Sequence, residues 1–265
     1  MLNGRSGMRM PPVSEGLHAA ELAFFLDVDG TLLEMAPTPD AVVVDAELLA
    51  MLRALVFGSG GAVALVSGRS IGVLDDLFKP LLLPCAGLHG FERRSISGVY
   101  ARRPLPPEDL LNETREVFTR LVAQHPGLLL EDKRFSLALH YRLAPHLEPL
   151  VEEAVALLAA ALAPHFELQR GRYVAEIRPA QANKATAVAE FMQEEPFRGR
   201  RPLCLGDDLT DEYAFEWVNA AGGLSIAVGT ERDSHAQCHL ASVPAARAWL
   251  HSLVKEAVTA HASTR

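Results

Sequence analysis

Cysteine is scarce in this chain. Its three residues in 265, Cys85, Cys204 and Cys238, are odd in number and far apart. None stands in a metal-binding or redox spacing, which argues against a disulfide framework or a thiolate metal centre. They read as buried free thiols in a reducing cytoplasm. Long apolar runs are missing too, and none approaches the ~20 residues of a membrane-spanning helix. Nor is there an excess of basic charge. The 25 basic and 33 acidic residues give a net charge of −8, which argues against nucleic acid or an anionic membrane as partner. An anionic substrate would have to be drawn in by a few local cations. Residues 1–18 mix Gly, Pro and Ser without a continuous apolar centre, and are expected to form a disordered leader rather than a secretory signal. The one glycine cluster, "GSGG" (58–61), precedes a strand, whereas a dinucleotide fingerprint follows one. It is a loop.

What the chain does have is apolar residue content, 49% of the total, enough for a sizeable core. Five short apolar runs are continuous rather than alternating: "LAFFL" (22–26), "AVALV" (62–66), "LLPCA" (82–86), "PLCL" (202–205) and "LSIAV" (224–228). Runs of that kind suit a parallel sheet buried on both faces. Helical patterns lie between them, so the fold expected is α/β, with a doubly wound, Rossmann-like parallel core. The middle of the chain has another rhythm. From about Leu105 to Pro179 the pattern reads helix, strand, strand, twice over, with hairpin turns at Lys133-Arg134 and Gly171-Arg172. The expected organisation is a core in two parts, residues 19–103 and 180–265, interrupted by an α/β cap of helix–hairpin repeats over residues 104–179.

Ligands of open α/β sheets bind beyond the carboxyl ends of the strands. Three core strands end there in polar groups: Asp27-Val-Asp29-Gly30-Thr31, Ser67-Gly68-Arg69, and Gly206-Asp207-Asp208. In extended backbone, Asp27 and Asp29 can face one site, and Gly30 permits a tight turn towards a ligand. Like charges so close need an offset. A divalent cation between Asp27 and Asp207 would provide it, and Mg²⁺ suits an all-oxygen site. One Asp could then attack phosphorus while the other protonates the leaving oxygen and later deprotonates water. The competing reading is a solvated acidic loop. Ser67 and the backbone N–H groups near Arg69 could receive phosphate oxygens at a helix start, although Ser is also an ordinary helix cap. Lys184 could balance the phosphate against Asp27 and Asp29, or be a surface charge. In "GDDLTDE", Asp207 stands nearest the strand end and is the expected metal ligand, while Asp208 and Asp211 could hold metal-bound waters or Lys184.

The ordered set "DVDGT", "SGR", Lys184 and "GDDLTDE" resembles the haloacid dehalogenase superfamily of aspartate-nucleophile phosphatases. Within it, "GLHG" (87–90), "EDKRFSLALHYR" (131–142) and "VAEIRP" (174–179) resemble trehalose-6-phosphate phosphatases. The likeness runs from about Phe24 to Val228. It implies hydrolysis of trehalose 6-phosphate through an aspartyl-phosphate, with Asp27 as nucleophile and Asp29 as general acid/base. It implies Mg²⁺ held by Asp27, the Asp29 carbonyl and Asp207, and phosphate held by Thr31, Ser67, Gly68, Arg69 and Lys184. Glu131, Lys133 and Glu176 would grip the sugar; two acids and a Lys give a polyol the directional partners an apolar pocket lacks. The partner expected is a small sugar phosphate, and the protein is expected to be a cytoplasmic monomer. Sucrose phosphate or a mannosyl phosphoglycerate are alternative substrates, and a phospho-acceptor or binding module is the alternative class. Against the module stands Asp29, since a stable phosphoaspartate gains nothing from an acid/base two residues away. One departure from the family pattern is Ala185, where Gly usually follows the Lys. His140, Tyr141 and Arg142 carry no assignment.

Overall fold

The computed structural model describes residues 10–11, 17–36, 38, 41–102, 108–171, 173–180, 183–229 and 233–262. Most of the expected leader, the expected boundary at 103/104 and Arg172 of the second hairpin turn lie outside them. Eight strands form the main sheet: β1 (Leu22–Leu26), β2 (Val63–Val66), β3 (Cys85–Gly87), β4 (Glu92–Arg94), β5 (Tyr100–Arg102), β10 (Arg201–Gly206), β11 (Leu224–Val228) and β12 (Cys238–Leu240). Their order is β12-β11-β10-β1-β2-β3-β4-β5, parallel except for the antiparallel β4 and β5. The fold class is therefore α/β, built on a mostly parallel doubly wound sheet.

Why the strands read as continuous apolar runs is visible in β1, all five of whose residues are buried. Leu22, Phe24 and Leu26 join the apolar cluster on one face, and Ala23 and Phe25 join that on the other. The first face is covered by α1 (Ala46–Gly58), α2 (Ile71–Phe78) and α7 (Val243–Ala262), the second by α5 (Lys184–Phe191) and α6 (Glu212–Ala220). Phe25 stacks on Phe197 at 5.6 Å and meets Phe191 at 6.1 Å. Burying a side chain of that size contributes about 1.5–3 kcal/mol. Among the described residues no helix is long and apolar enough to cross a membrane.

The cap follows α3 (Asn112–Gln124), β6 (Leu129–Asp132), β7 (Leu137–His140), α4 (Glu148–Ala161), β8 (Phe166–Gly171) and β9 (Val174–Pro179). Its sheet is antiparallel in the order β6-β7-β9-β8. Phe118, Leu137, Leu139, Val151, Val155 and Ile177 belong to an apolar cluster of its own.

The chain runs β1-β2-β3 to one side of β1 and β10-β11-β12 to the other, so strand order reverses between β1 and β10. Crevices open at such reversals. There the Asp27 N–H donates to the Leu205 carbonyl at 3.0 Å, drawing the end of β1 against the end of β10.

Candidate functional site

Asp27, Asp29, Ser67, Gly68, Arg69, Lys184, Asp207 and Asp208 from the core line one cavity together with Glu131, Lys133 and Glu176 from the cap. Thr31 does not line it. That residue is fully buried, and its Oγ1 has no hydrogen-bond partner among the described residues.

Lys184 is the hub of the core side. It opens α5 after Asn183, whose side chain accepts from the Thr186 N–H at 2.8 Å, and Ala185 leaves this helix start intact. A cation at a helix N-terminus is opposed by the helix dipole. Two carboxylates reverse the balance: Lys184 Nζ donates to Asp27 Oδ1 and to Asp211 Oδ1, each at 2.7 Å. All three side chains are buried. Burial opposes the ammonium, yet the two acids outweigh it and raise the pKa of Lys184.

Carboxylate oxygens of Asp27, Asp207 and Asp211 lie within 4.8 Å of one another. Burial, with help from the charges of Asp211 and Asp29, pushes Asp27 up from 3.8 to about 6 against the pull of Lys184. Asp207 is pushed well above its ordinary range by burial and by Asp27, and Asp211 is raised chiefly by burial. Three carboxylates and one ammonium leave two negative charges. Oxygen donors carrying that charge fit a hard divalent cation. Of the three, Asp211 has both oxygens engaged, one by Lys184 and the other by the Asp208 N–H at 3.1 Å, which leaves Asp27 and Asp207 as the better ligands. Asp208 caps the short helix Leu209–Asp211 in a reciprocal box with Asp211. The close approach depends on Gly30: at φ +83° a Cβ there would lie 2.0 Å from Asp207 Oδ2.

Asp29 faces Arg69. Arg69 Nε and Nη2 donate to its two oxygens at 2.6 and 2.7 Å. Ser67 Oγ accepts from the Arg69 N–H at 3.1 Å, and the loop after β3 is stitched to this segment by Leu88 N–H to Arg69 O and His89 N–H to Ser67 O, both at 2.9 Å.

On the cap side Glu176, buried, is the centre. Its Oε2 accepts from Lys133 Nζ at 3.2 Å and lies 3.2 Å from His89 Nε2 of the core. Burial would raise the Glu176 pKa, but Lys133 and His89 hold it well below the carboxylate range. Lys133 Nζ also donates to the Gly68 carbonyl at 3.2 Å, a second bond from cap to core. Burial opposes the Lys133 ammonium, and Glu176 with Glu131 outweighs it. Glu131 Oε2 lies 2.8 Å from His140 Nε2, and Lys133 with His140 keeps its pKa low in spite of burial.

Sequence reasoning left out His89 and did not assign His140 or Arg142, all three of which line the cavity. Tyr141 is buried and donates to Glu148 at 3.1 Å, a packing role. The signal for His89 was its place between Gly87 and Gly90 in "GLHG". Leu88 and His89 both hold φ near +50° (49° and 56°), and a Cβ on Gly68 would strike the His89 ring at 2.7 Å.

The site can be compared with known proteins. Residues 25–244 match the family model described as trehalose-phosphatase. Over 238 residues the chain is 44% identical to the trehalose-6-phosphate phosphatase of Escherichia coli (strain K12), spanning 89% of this chain and 87% of that one. It is 43% identical over 226 residues to a Sinorhizobium fredii protein described as "probable trehalose-phosphate phosphatase", spanning 85% and 84% of the two. The solved C-terminal domain of the C. albicans trehalose-6-phosphate phosphatase shares the fold, with a TM-score of 0.84 at 22% identity over 95% of this chain and 99% of that one.

Proposed function

The chain belongs to the trehalose-phosphatase family, and on that premise we propose that it hydrolyses trehalose 6-phosphate to trehalose and inorganic phosphate at the β1/β10 crevice. The observation that carries the reading is the meeting, in one cavity, of a lysine-held Asp27 with Glu131, Lys133 and Glu176 of the cap. One half of that cavity suits phosphorus and the other suits a polyol.

In the first step Asp27 attacks phosphorus, an aspartyl-phosphate forms, and the bond from phosphorus to the sugar oxygen breaks. Asp29 donates a proton to that departing oxygen. In the second step Asp29, now a carboxylate, takes a proton from water as the water attacks phosphorus. Phosphate leaves and Asp27 is restored. Lys184, the Ser67 hydroxyl and the backbone N–H of Gly68 hold the phosphate oxygens. Asp27, Asp207 and the Asp29 carbonyl would hold a divalent cation, Mg²⁺ in this reading, which supplies the charge neutralisation that lets an anionic nucleophile meet an anionic phosphate. Glu131, Lys133 and Glu176 orient the sugar, exchanging bonds to one another for bonds to its hydroxyls. The enzyme acts in the cytoplasm, where the buried thiols of Cys85, Cys204 and Cys238 stay reduced.

The test is phosphate release from a panel of sugar phosphates, with Asp27→Asn as control. Trehalose 6-phosphate should be turned over best, sucrose phosphate and mannosyl phosphoglycerate poorly. The near-isosteric amide should fold yet abolish turnover. Preference for another sugar would overturn the substrate, and substantial turnover by Asp27→Asn would overturn the nucleophile.

A further inference from the structure

We infer that the Arg69 side chain is a positioning residue for Asp29: its planar fork fixes the plane of that carboxylate for proton transfer, and it is not a ligand of the substrate phosphate. The inference rests on the proposed reading of Asp29 as general acid/base.

Both ends of the pair are anchored apart from each other. Asp29 stands on a turn closed by the Gly30 N–H donating to the Leu33 carbonyl at 2.7 Å. Arg69 is mounted on the loop after β2, beside the end of β1, its N–H on Ser67 Oγ and its carbonyl on the Leu88 N–H. The mount is tight, because a Cβ on Gly87 would lie 2.8 Å from the Arg69 carbonyl and 2.9 Å from Glu92 Oε1. Glu92 itself receives the Ile71 N–H at 2.6 Å. With both backbones set, rotation of the Asp29 carboxylate is the freedom left, and two parallel N–H···O bonds at 2.6 and 2.7 Å remove it. A bidentate Arg–carboxylate pair fixes geometry in a way a point charge cannot. The Arg69 side chain is 10% exposed and that of Asp29 29%, so the fork is buried while the carboxylate reaches the cavity it lines. An acid that must meet the sugar oxygen in one step and water in the next gains from a fixed direction. Lys184, with Ser67 and the backbone of this loop, remains to take the phosphate.

The two roles separate by leaving group. A proton donated to the departing oxygen matters most when that oxygen is a poor leaving group and little when it is p-nitrophenolate, whereas a lost phosphate ligand weakens every substrate alike. The measurement is kcat/KM, which stops at the first irreversible step, for Arg69→Met and Arg69→Lys on trehalose 6-phosphate and a graded series of aryl phosphates. The inhibition constant of inorganic phosphate is measured beside it. For both variants we expect a loss of about 100-fold on the poorest leaving groups, shrinking to within about threefold for p-nitrophenyl phosphate, with phosphate inhibition unchanged. Arg69→Lys should not rescue, because it restores charge without the fork. A retained kcat/KM on p-nitrophenyl phosphate reports the fold, and the aryl series reads the slope whatever the natural sugar is. Failure of trehalose 6-phosphate alone would therefore fall on the substrate assignment. Equal losses across the series with weaker phosphate inhibition would make Arg69 a phosphate ligand, and rescue by Lys or no loss at all would also overturn the inference.

Discussion

Without metal, Asp27, Asp207 and Asp211 are carboxylates held out of water, and Asp27 shows what that burial costs. Burial and its acidic neighbours raise Asp27 from 3.8 to about 6. A carboxyl whose folded pKa lies above its unfolded value binds protons more readily folded. The metal-free protein should therefore gain stability as pH falls through 6 towards 4, and Asp207 and Asp211, whose carboxyls are raised as well, add in the same direction. At roughly 1.4 kcal/mol per pH unit, the gap between 3.8 and about 6 makes the penalty about 3 kcal/mol from Asp27 alone. For a chain of this size that is about 6–12 °C in Tm. A bound divalent cation removes the penalty, so the stabilisation by Mg²⁺ should be large at pH 7.5 and mostly gone by pH 5. His89 works in the opposite sense. Burial holds its imidazole below 6.5, so its contribution is lost on acidification, but it is lost with and without metal and cancels in the difference. Calorimetry in EDTA and in excess Mg²⁺ across pH 4–8 gives that difference directly. If the Mg²⁺ effect persists undiminished to pH 5 and fades only near 4, the carboxylates titrate as ordinary acids and burial does not raise them.

Two further outcomes follow from contacts already described. Glu176→Ala should lower kcat/KM for trehalose 6-phosphate by about 10–100-fold, the equivalent of roughly 1.5–3 kcal/mol of charged hydrogen bonding, while an aryl phosphate changes little. Equal losses on both would put Glu176 in the chemistry or the fold. Gly30→Ala must hold a Cβ at φ +83° and 2.0 Å from Asp207 Oδ2, so Asp207 has to move. Mg²⁺ affinity by titration calorimetry should fall about tenfold or more, and an unchanged affinity would remove Asp207 from the ligands.

Legibility in the sequence tracked burial. The runs 22–26 and 224–228 are β1 and β11 to the residue, because strands covered on both faces must be apolar throughout. β4 ("ERR") and β5 ("YAR") escaped notice for the opposite reason. They extend the sheet at its edge, where Arg93 and Arg94 reach Glu194 and Asp75, and charge hides a strand from any hydrophobic pattern. The run 82–86 was placed too early: β3 begins only at Cys85, after Pro84. At the site, residues attached to strand ends could be picked out because the sheet converts distant positions into neighbours. The Asp29–Arg69 pair and the His89–Glu176 contact could not. The first depends on side-chain direction and the second on a left-handed loop meeting a cap 87 residues further on.

Among the described residues, the apolar cluster of the cap and those of the core share no member. What joins the two bodies at the site is polar: Lys133 on the Gly68 carbonyl, Glu176 by His89, and Gly171 packed against Asp208. Mutations inside the cap can therefore accumulate without disturbing the packing around Asp27, and drift around Asp27 leaves the cap intact. Over evolutionary time such a chain can change the sugar it accepts while inheriting its phosphorus chemistry unaltered. A selection experiment on the cap alone would be working with the grain of the molecule.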